Sequence, residues 1–282
     1  VTADMETTRY YTGLGDLALV AWLAEGCRLA GRRLRVRRTR NTDLLDLLGV
    51  GHTAGPGGVS LDPAYEAELA DAGRRPRVDY LRDHLGLADV IPVRPRLSIP
   101  ADADAWAAGV VAACGRPPVL LFPQTAWQPR AWPASHWVDL AWRLHAAGRP
   151  AAVLLDRDDG RFRNVPRYHY GESAGRLAAL VRRAACVVGN DSFPAHLGAA
   201  VGTGPVLALL GPTKASVFAH APNVTCLSGP WDCSGCHFAA PFRAACDQGC
   251  QSLEGLSVAA ISAVVFLGIG LLILALSEDT TV

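Results

Sequence analysis

Val188-Gly189-Asn190-Asp191-Ser192-Phe193-Pro194-Ala195-His196-Leu197 passes from an apolar run into a helical pattern through three residues that are all preferred helix caps. Cys186 to Gly189 reads as a buried strand and Ala195 to Ala200 as a helix, so the polar residues lie just past the strand's carboxyl end. Open α/β sheets bind their ligands there. A single cap needs only one such side chain, and three in a row suit hydrogen bonds to a polyhydroxylated ligand. His196 falls inside the helix, facing either core or cleft.

The same strand-loop-helix unit recurs on both sides. Val119 to Phe122 reads as a strand and Ser135 as the cap of a helix reaching Ala147, with Phe122 to Pro133 as the loop between them. In that loop Thr125 offers a hydroxyl and Arg130 a planar fork suited to a diphosphate. Trp127 and Trp132 read first as packing. Ala151 to Leu155 is another strand, Ser173 to Ala185 a helix, and Val206 to Leu210 a strand running into Gly211-Pro212-Thr213. Short apolar strands alternating with helices predict a parallel sheet covered on both faces, with several strand ends on one crevice.

Near the start, Tyr10-Tyr11 reads as a short strand, Thr12-Gly13-Leu14-Gly15-Asp16 as a turn and Leu17 to Leu29 as a helix. Gly13 and Gly15 admit close approach of a ligand to the backbone. Asp16 is either a first-turn helix acid or a general base at the mouth of a cleft. Six arginines fall between Arg32 and Arg40, alternating in part with Leu34 and Val36. This predicts a half-buried strand with one basic face, either a charge-guarded edge or a patch for a phosphorylated acceptor or anionic membrane. Gly49 to Gly58 reads as loop, as does Leu61 to Val78 apart from one short helix, Ala64 to Ala72. The boundary between two domains is expected within Ala101 to Gly115.

The chain has 282 residues, half of them hydrophobic, and a formal net charge of +1, which leaves no field to gather polyanions and excludes nucleic acid as the expected partner. Of eight cysteines, Cys27, Cys114, Cys186 and Cys226 are scattered in apolar segments and read as reduced core residues of a cytosolic protein. Cys233, Cys236, Cys246 and Cys250 are spaced for one tetrahedral thiolate site holding structural zinc or iron, with two disulfides as the alternative. His237 is then a bystander or a neighbour behind the ligands. From Leu256 to Leu276 no charge interrupts the chain, long enough for a membrane span or for an apolar helix closing the fold.

Together the Gly-Leu-Gly-Asp turn, the stretch from Phe122 to Trp137, the Val188 to Leu197 segment and Gly211-Pro212-Thr213 resemble glycosyltransferase family 9, the ADP-heptose heptosyltransferases. The paired cysteines resemble the metal finger of the autotransporter heptosyltransferases, which modify protein serines. The resemblance implies an α/β fold of GT-B type: two Rossmann-like domains facing a cleft, a shortened acceptor domain at 1–105, a donor domain at 116–230, the cysteine knuckle at 231–252 and an apolar helix at 255–277. It implies Asp16 as base and Arg130, where lysine is more usual, on the donor diphosphate. Asp191 and Ser192 would contact the sugar, and Gly13, Gly15, Thr125, His196, Gly211, Pro212 and Thr213 would complete the donor site. An ADP-sugar donor, a saccharide or protein-serine acceptor as in lipopolysaccharide synthesis, no catalytic metal and self-association follow from it. Phe193 stands where many members carry glycine. Rival expectations are a non-catalytic nucleotide-sugar module assembling through the knuckle and tail, and a sugar-nucleotide epimerase.

Overall fold

The structure, a computed structural model, describes residues 2–6, 13–37, 41–54, 57–170, 173–202, 204–231, 233–238 and 250–278, with backbone alone for 2–6, 251 and 269–278. The chain begins with β1 (Thr2–Glu6), α1 (Leu14–Leu29), β2 (Arg33–Arg37), α2 (Thr42–Leu47), β3 (Gly51–Thr53), β4 (Val59–Ser60), α3 (Asp62–Ala70) and α4 (Arg77–His84). Its strands form a four-stranded sheet in the order β3-β2-β1-β4, parallel throughout. The first strand therefore precedes the expected Tyr10-Tyr11, which lies outside the described residues. β2 forms as expected, with Leu34 and Val36 buried, but it lies between β1 and β3 rather than at an edge. The glycine-rich stretch is not all loop: β3 and β4 are three- and two-residue strands, too short for any periodicity of their own. α4, which buries Val78, Tyr80 and Leu81, is a further helix that the sequence reading did not place.

α5 (Ala101–Ala113) occupies the expected boundary and packs against the second half. Ala103, Ala107 and Val110, one helical face, are its buried residues.

The rest comprises β5 (Val119–Phe122), α6 (Ala134–Ala146), β6 (Ala151–Leu155), β7 (Arg167–His169), α7 (Ala174–Arg182), β8 (Cys186–Asn190), α8 (Phe193–Val201), β9 (Val206–Leu210), β10 (Val224–Ser228), α9 (Gln251–Glu254) and α10 (Val258–Glu278). Six parallel strands run β10-β9-β8-β5-β6-β7. Counted within the sheet this is the doubly wound order 3-2-1-4-5-6, whose reversal falls between β5 and β8. The first sheet follows 3-2-1-4, reversing between β1 and β4.

Side-chain alternation explains the unbroken apolar strands. Leu120 and Phe122 join the core beneath α1, α7 and α8, while Val119 and Leu121 join the opposite core beneath α6 and α10. The helix expected from Ser173 forms as α7, with Ser173 at its cap accepting a hydrogen bond from the Arg176 amide. Pro133, not Ser135, stands at the cap of α6, because proline's fixed φ suits a helix start. Cys27 and Cys186 are buried free thiols, and burial pushes Cys186 up to about 12. Val258, Ile261 and Val265 of α10 are buried in the α6 core. Among the described residues no helix is long and apolar enough to cross a membrane.

Candidate functional site

The carboxyl ends of β5 and β8 and the N-terminus of α1 meet at a cavity of about 660 Å³. Of the residues expected from sequence, Gly13, Gly15, Asp16, Thr125, Arg130, Ser192 and His196 line it. Asp191, 2% exposed, and the Gly211-Pro212-Thr213 turn, both expected in the donor site, are not among the residues that line it.

The three polar residues after β8 have separate duties. Asn190 is fully buried: its amide donates to the Pro123 carbonyl at 2.8 Å and its Oδ1 accepts from the Trp132 backbone N–H at 3.1 Å. It bolts the β5 and β8 loops together. Asp191 places one oxygen 3.5 Å from Arg130 Nε and the other 3.4 Å from His196 Nε2. Burial opposes its ionisation, but the Arg130 charge and then His196 outweigh it and hold the carboxyl well below the usual carboxylate range. Ser192 Oγ and His196 Nδ1 are buried without hydrogen-bond partners, which is costly unless a ligand satisfies them. His196 thus faces both core and cleft, stacking on Phe218 at 4.3 Å. Gly15 leaves it room: a Cβ there would lie 2.8 Å from His196 Cδ2.

On the opposite wall Asp16 occupies the first turn of α1, with Arg77 Nη1 3.6 Å from its Oδ1. Arg77 Nε donates to both oxygens of Glu68, a carboxylate with no solvent exposure, at 2.9 and 3.0 Å. Tyr65 from α3 hydrogen-bonds His237 Nε2 through its hydroxyl at 2.7 Å, closing the cavity across its two sides. His237 also meets the Trp127 ring edge-on at 5.3 Å, and Arg130 covers that ring at 5.1 Å. Burial, then Arg130 and Arg77, push His237 down to about 4, so it is neutral at pH 7. Trp127 therefore belongs to the cavity, whereas Trp132 is core, its indole donating to the Leu256 carbonyl at 3.1 Å.

The Gly211 and Pro212 carbonyls accept the Gly235 and His237 amides at 2.9 and 2.8 Å, so this turn holds the 233–238 segment. Ser234 and Ser252 hydroxyls bond at 2.6 Å. Among the described residues no group of three or more potential ligands is arranged around a metal. Cys246 of the expected knuckle lies outside them.

Sequence reading missed Tyr65, Glu68, Arg77 and Gln124, and placed His237 outside the site. Gln124 bridges β5 to β6, donating to the Arg157 carbonyl at 3.0 Å and accepting the Asp156 amide at 2.7 Å. The only available signal was a glutamate in the expected Ala64 to Ala72 helix and an arginine nine residues on, in a stretch read as loop, and pairing at that distance has no periodic signature.

Residues 172–240 match the model for glycosyltransferase family 9 (heptosyltransferase). The whole chain is similar to E. coli ADP-heptose lps heptosyltransferase II, at 12% identity and a TM-score of 0.61, covering 98% of this chain and 99% of that one. It is similar to the iron-containing dodecameric glycosyltransferase TibC of enterotoxigenic E. coli, at 15% identity and a TM-score of 0.70, over 95% of this chain and 76% of that one. A family 9 glycosyl transferase from Veillonella parvula gives 15% identity and a TM-score of 0.58, over 80% and 85% of the two chains. No curated protein sequence matches. The solved structures carry the GT-B-like α/β fold, and the family resemblance and the expected enzyme class, glycosyltransferase, are borne out.

Proposed function

We infer that this glycosyltransferase moves a heptose or related sugar from an ADP-activated donor to a hydroxyl of a saccharide or protein acceptor, with inversion. One observation carries the reading: the reversal point of the six-stranded sheet and the start of α1 share a cavity with Asp16 on one wall and the Asp191-anchored Arg130 on the other. The acceptor belongs to the 1–105 half and the donor to 116–230. Asp16 takes the proton of the acceptor hydroxyl, whose oxygen bonds to the anomeric carbon as the bond to the diphosphate breaks and its electron pair leaves on ADP. Arg130 and the amide end of α8 stabilise the departing charge. Ser192, Thr125 and His196 contact sugar and phosphates, and Asp191 fixes Arg130 and His196.

The test is calorimetric titration of the full chain with ADP-heptose, ADP and UDP-sugars. Binding selective for the adenine nucleotides supports the donor; binding of none rejects it.

One structural zinc or iron on Cys233, Cys236, Cys246 and Cys250 belongs to the same reading. The 233–236 turn and Cys250 both rest on the Gly211 turn, since a Cβ on Gly211 would lie 2.7 Å from Cys250 Sγ. Four thiolates complete a tetrahedral sphere, so the ion holds the fold and leaves transfer to the side chains. Metal analysis is expected to find about one ion per chain, lost in Cys233→Ser. A cytosolic site of action at the inner membrane face, and self-association, complete the proposal; fractionation and light scattering check them.

A further inference from the structure

We propose that Glu68 and Arg77 are a positioning pair that fixes the Asp16 carboxylate toward the cavity. The proposal rests on Asp16 being the base. Glu68 is wholly buried on α3, and Arg77 opens α4 with 7% exposure. The Nε hydrogen bond to both Glu68 oxygens sets the guanidinium plane, and that plane carries Nη1 to 3.6 Å from Asp16 Oδ1. Arg77 itself lines the cavity beside Asp16.

Stability does not account for the pair. Removing two charges from water costs about as much as their attraction returns, and apolar replacements of similar size are often as stable. What a fork with one arm anchored supplies is direction. A carboxylate on a short side chain in the first helical turn swings about two torsions, and a base misplaced by about 1 Å forfeits on the order of a hundredfold in rate. Lysine, a point charge on a flexible stem, cannot hold Glu68 and aim at Asp16 in one plane.

The experiment gives the full chain ADP-heptose with water as acceptor. Water oxygen attacks the anomeric carbon, Asp16 takes the proton, and the bond to the diphosphate breaks onto ADP, whose release is followed. Asp16→Asn is expected to lose on the order of a hundredfold or more in that rate. Glu68→Gln and Arg77→Lys are each expected to slow release by about ten- to a hundredfold, with ADP-heptose affinity within about twofold of the parent. Glu68→Met with Arg77→Met, which leaves neither charge buried alone, should fold and show the same loss. Parental release from Arg77→Lys or from the double variant, with Asp16→Asn still inactive, overturns the pair and leaves the base standing. Parental release from Asp16→Asn overturns the base and the pair together.

Discussion

Gly15 and His196 lie 181 positions apart in sequence, yet each constrains the other, because the imidazole fills the space a Cβ at position 15 would need. The ring has little room to yield, with Phe218 on one face and Asp191 at Nε2. Gly15→Ala is therefore expected to cost about 1–3 kcal/mol in urea unfolding, and distinctly less in a His196→Ala background. Equal costs in both backgrounds would show that the ring is not the obstacle. His220 gives a pH dependence. Burial, then the neighbouring His196, lowers it from 6.5 to about 3, and its ring packs edge-on against Trp22 of α1 at 4.9 Å. Below pH 6.5 the unfolded chain binds a proton that the folded chain refuses, so this contribution is intact above 6.5 and is lost progressively toward pH 3. Denaturation midpoints at pH 7 and pH 5 should therefore differ less in His220→Gln than in the parent. An unchanged difference would place the acid sensitivity elsewhere. At this scale Asp16, Arg130, Ser192 and His196 were legible as cavity residues because each sits at a strand end or helix start. Glu68, Arg77 and Tyr65 were not, because they reach the cavity through the packing of α3 and α4.

Elements were legible where hydrophobic burial on both faces wrote an unbroken apolar run. β5, β6 and β9 run where the residues place them, while β3, β4 and β7 stay hidden, since two or three residues paired by backbone bonds need no particular side chains. The apolar tail shows the opposite limit. An uncharged helix suits lipid or a protein core equally, and periodicity does not distinguish them. In the fold Ile261 is fully buried against the α6 layer, whereas Leu267 is 66% exposed. Ile261→Ala should therefore cost about 2–5 kcal/mol by chemical denaturation in detergent-free buffer, and Leu267→Ser less than about 0.5 kcal/mol. A silent Ile261→Ala would detach α10 from the core.

At the level of the whole molecule, one apolar core runs from Leu17 of α1 through Val187 and Leu197 to Phe218, without a break between the two sheets. Polar bonds follow the same seam: Lys214 donates to the Ala72 carbonyl at 2.5 Å and Ser216 to that of Gly73 at 3.0 Å. A continuous core predicts one unfolding transition in scanning calorimetry, with matching calorimetric and van't Hoff enthalpies of about 200 kcal/mol near 60 °C. Two resolved transitions would mean that each half carries its own stability.

The sequence by itself determined the alternation of strand and helix, the doubly wound character of the second half and the strand-end residues of the cavity. These are local consequences of burial and capping, and they recur within a few residues. Only the tertiary structure decided that β2 lies inside its sheet, that Asp191 is a buried anchor for Arg130, that His237 closes the cavity against Tyr65, and that α10 lies on α6. Each depends on which surfaces meet across long separations, and a contact of that kind leaves no period in the chain that makes it.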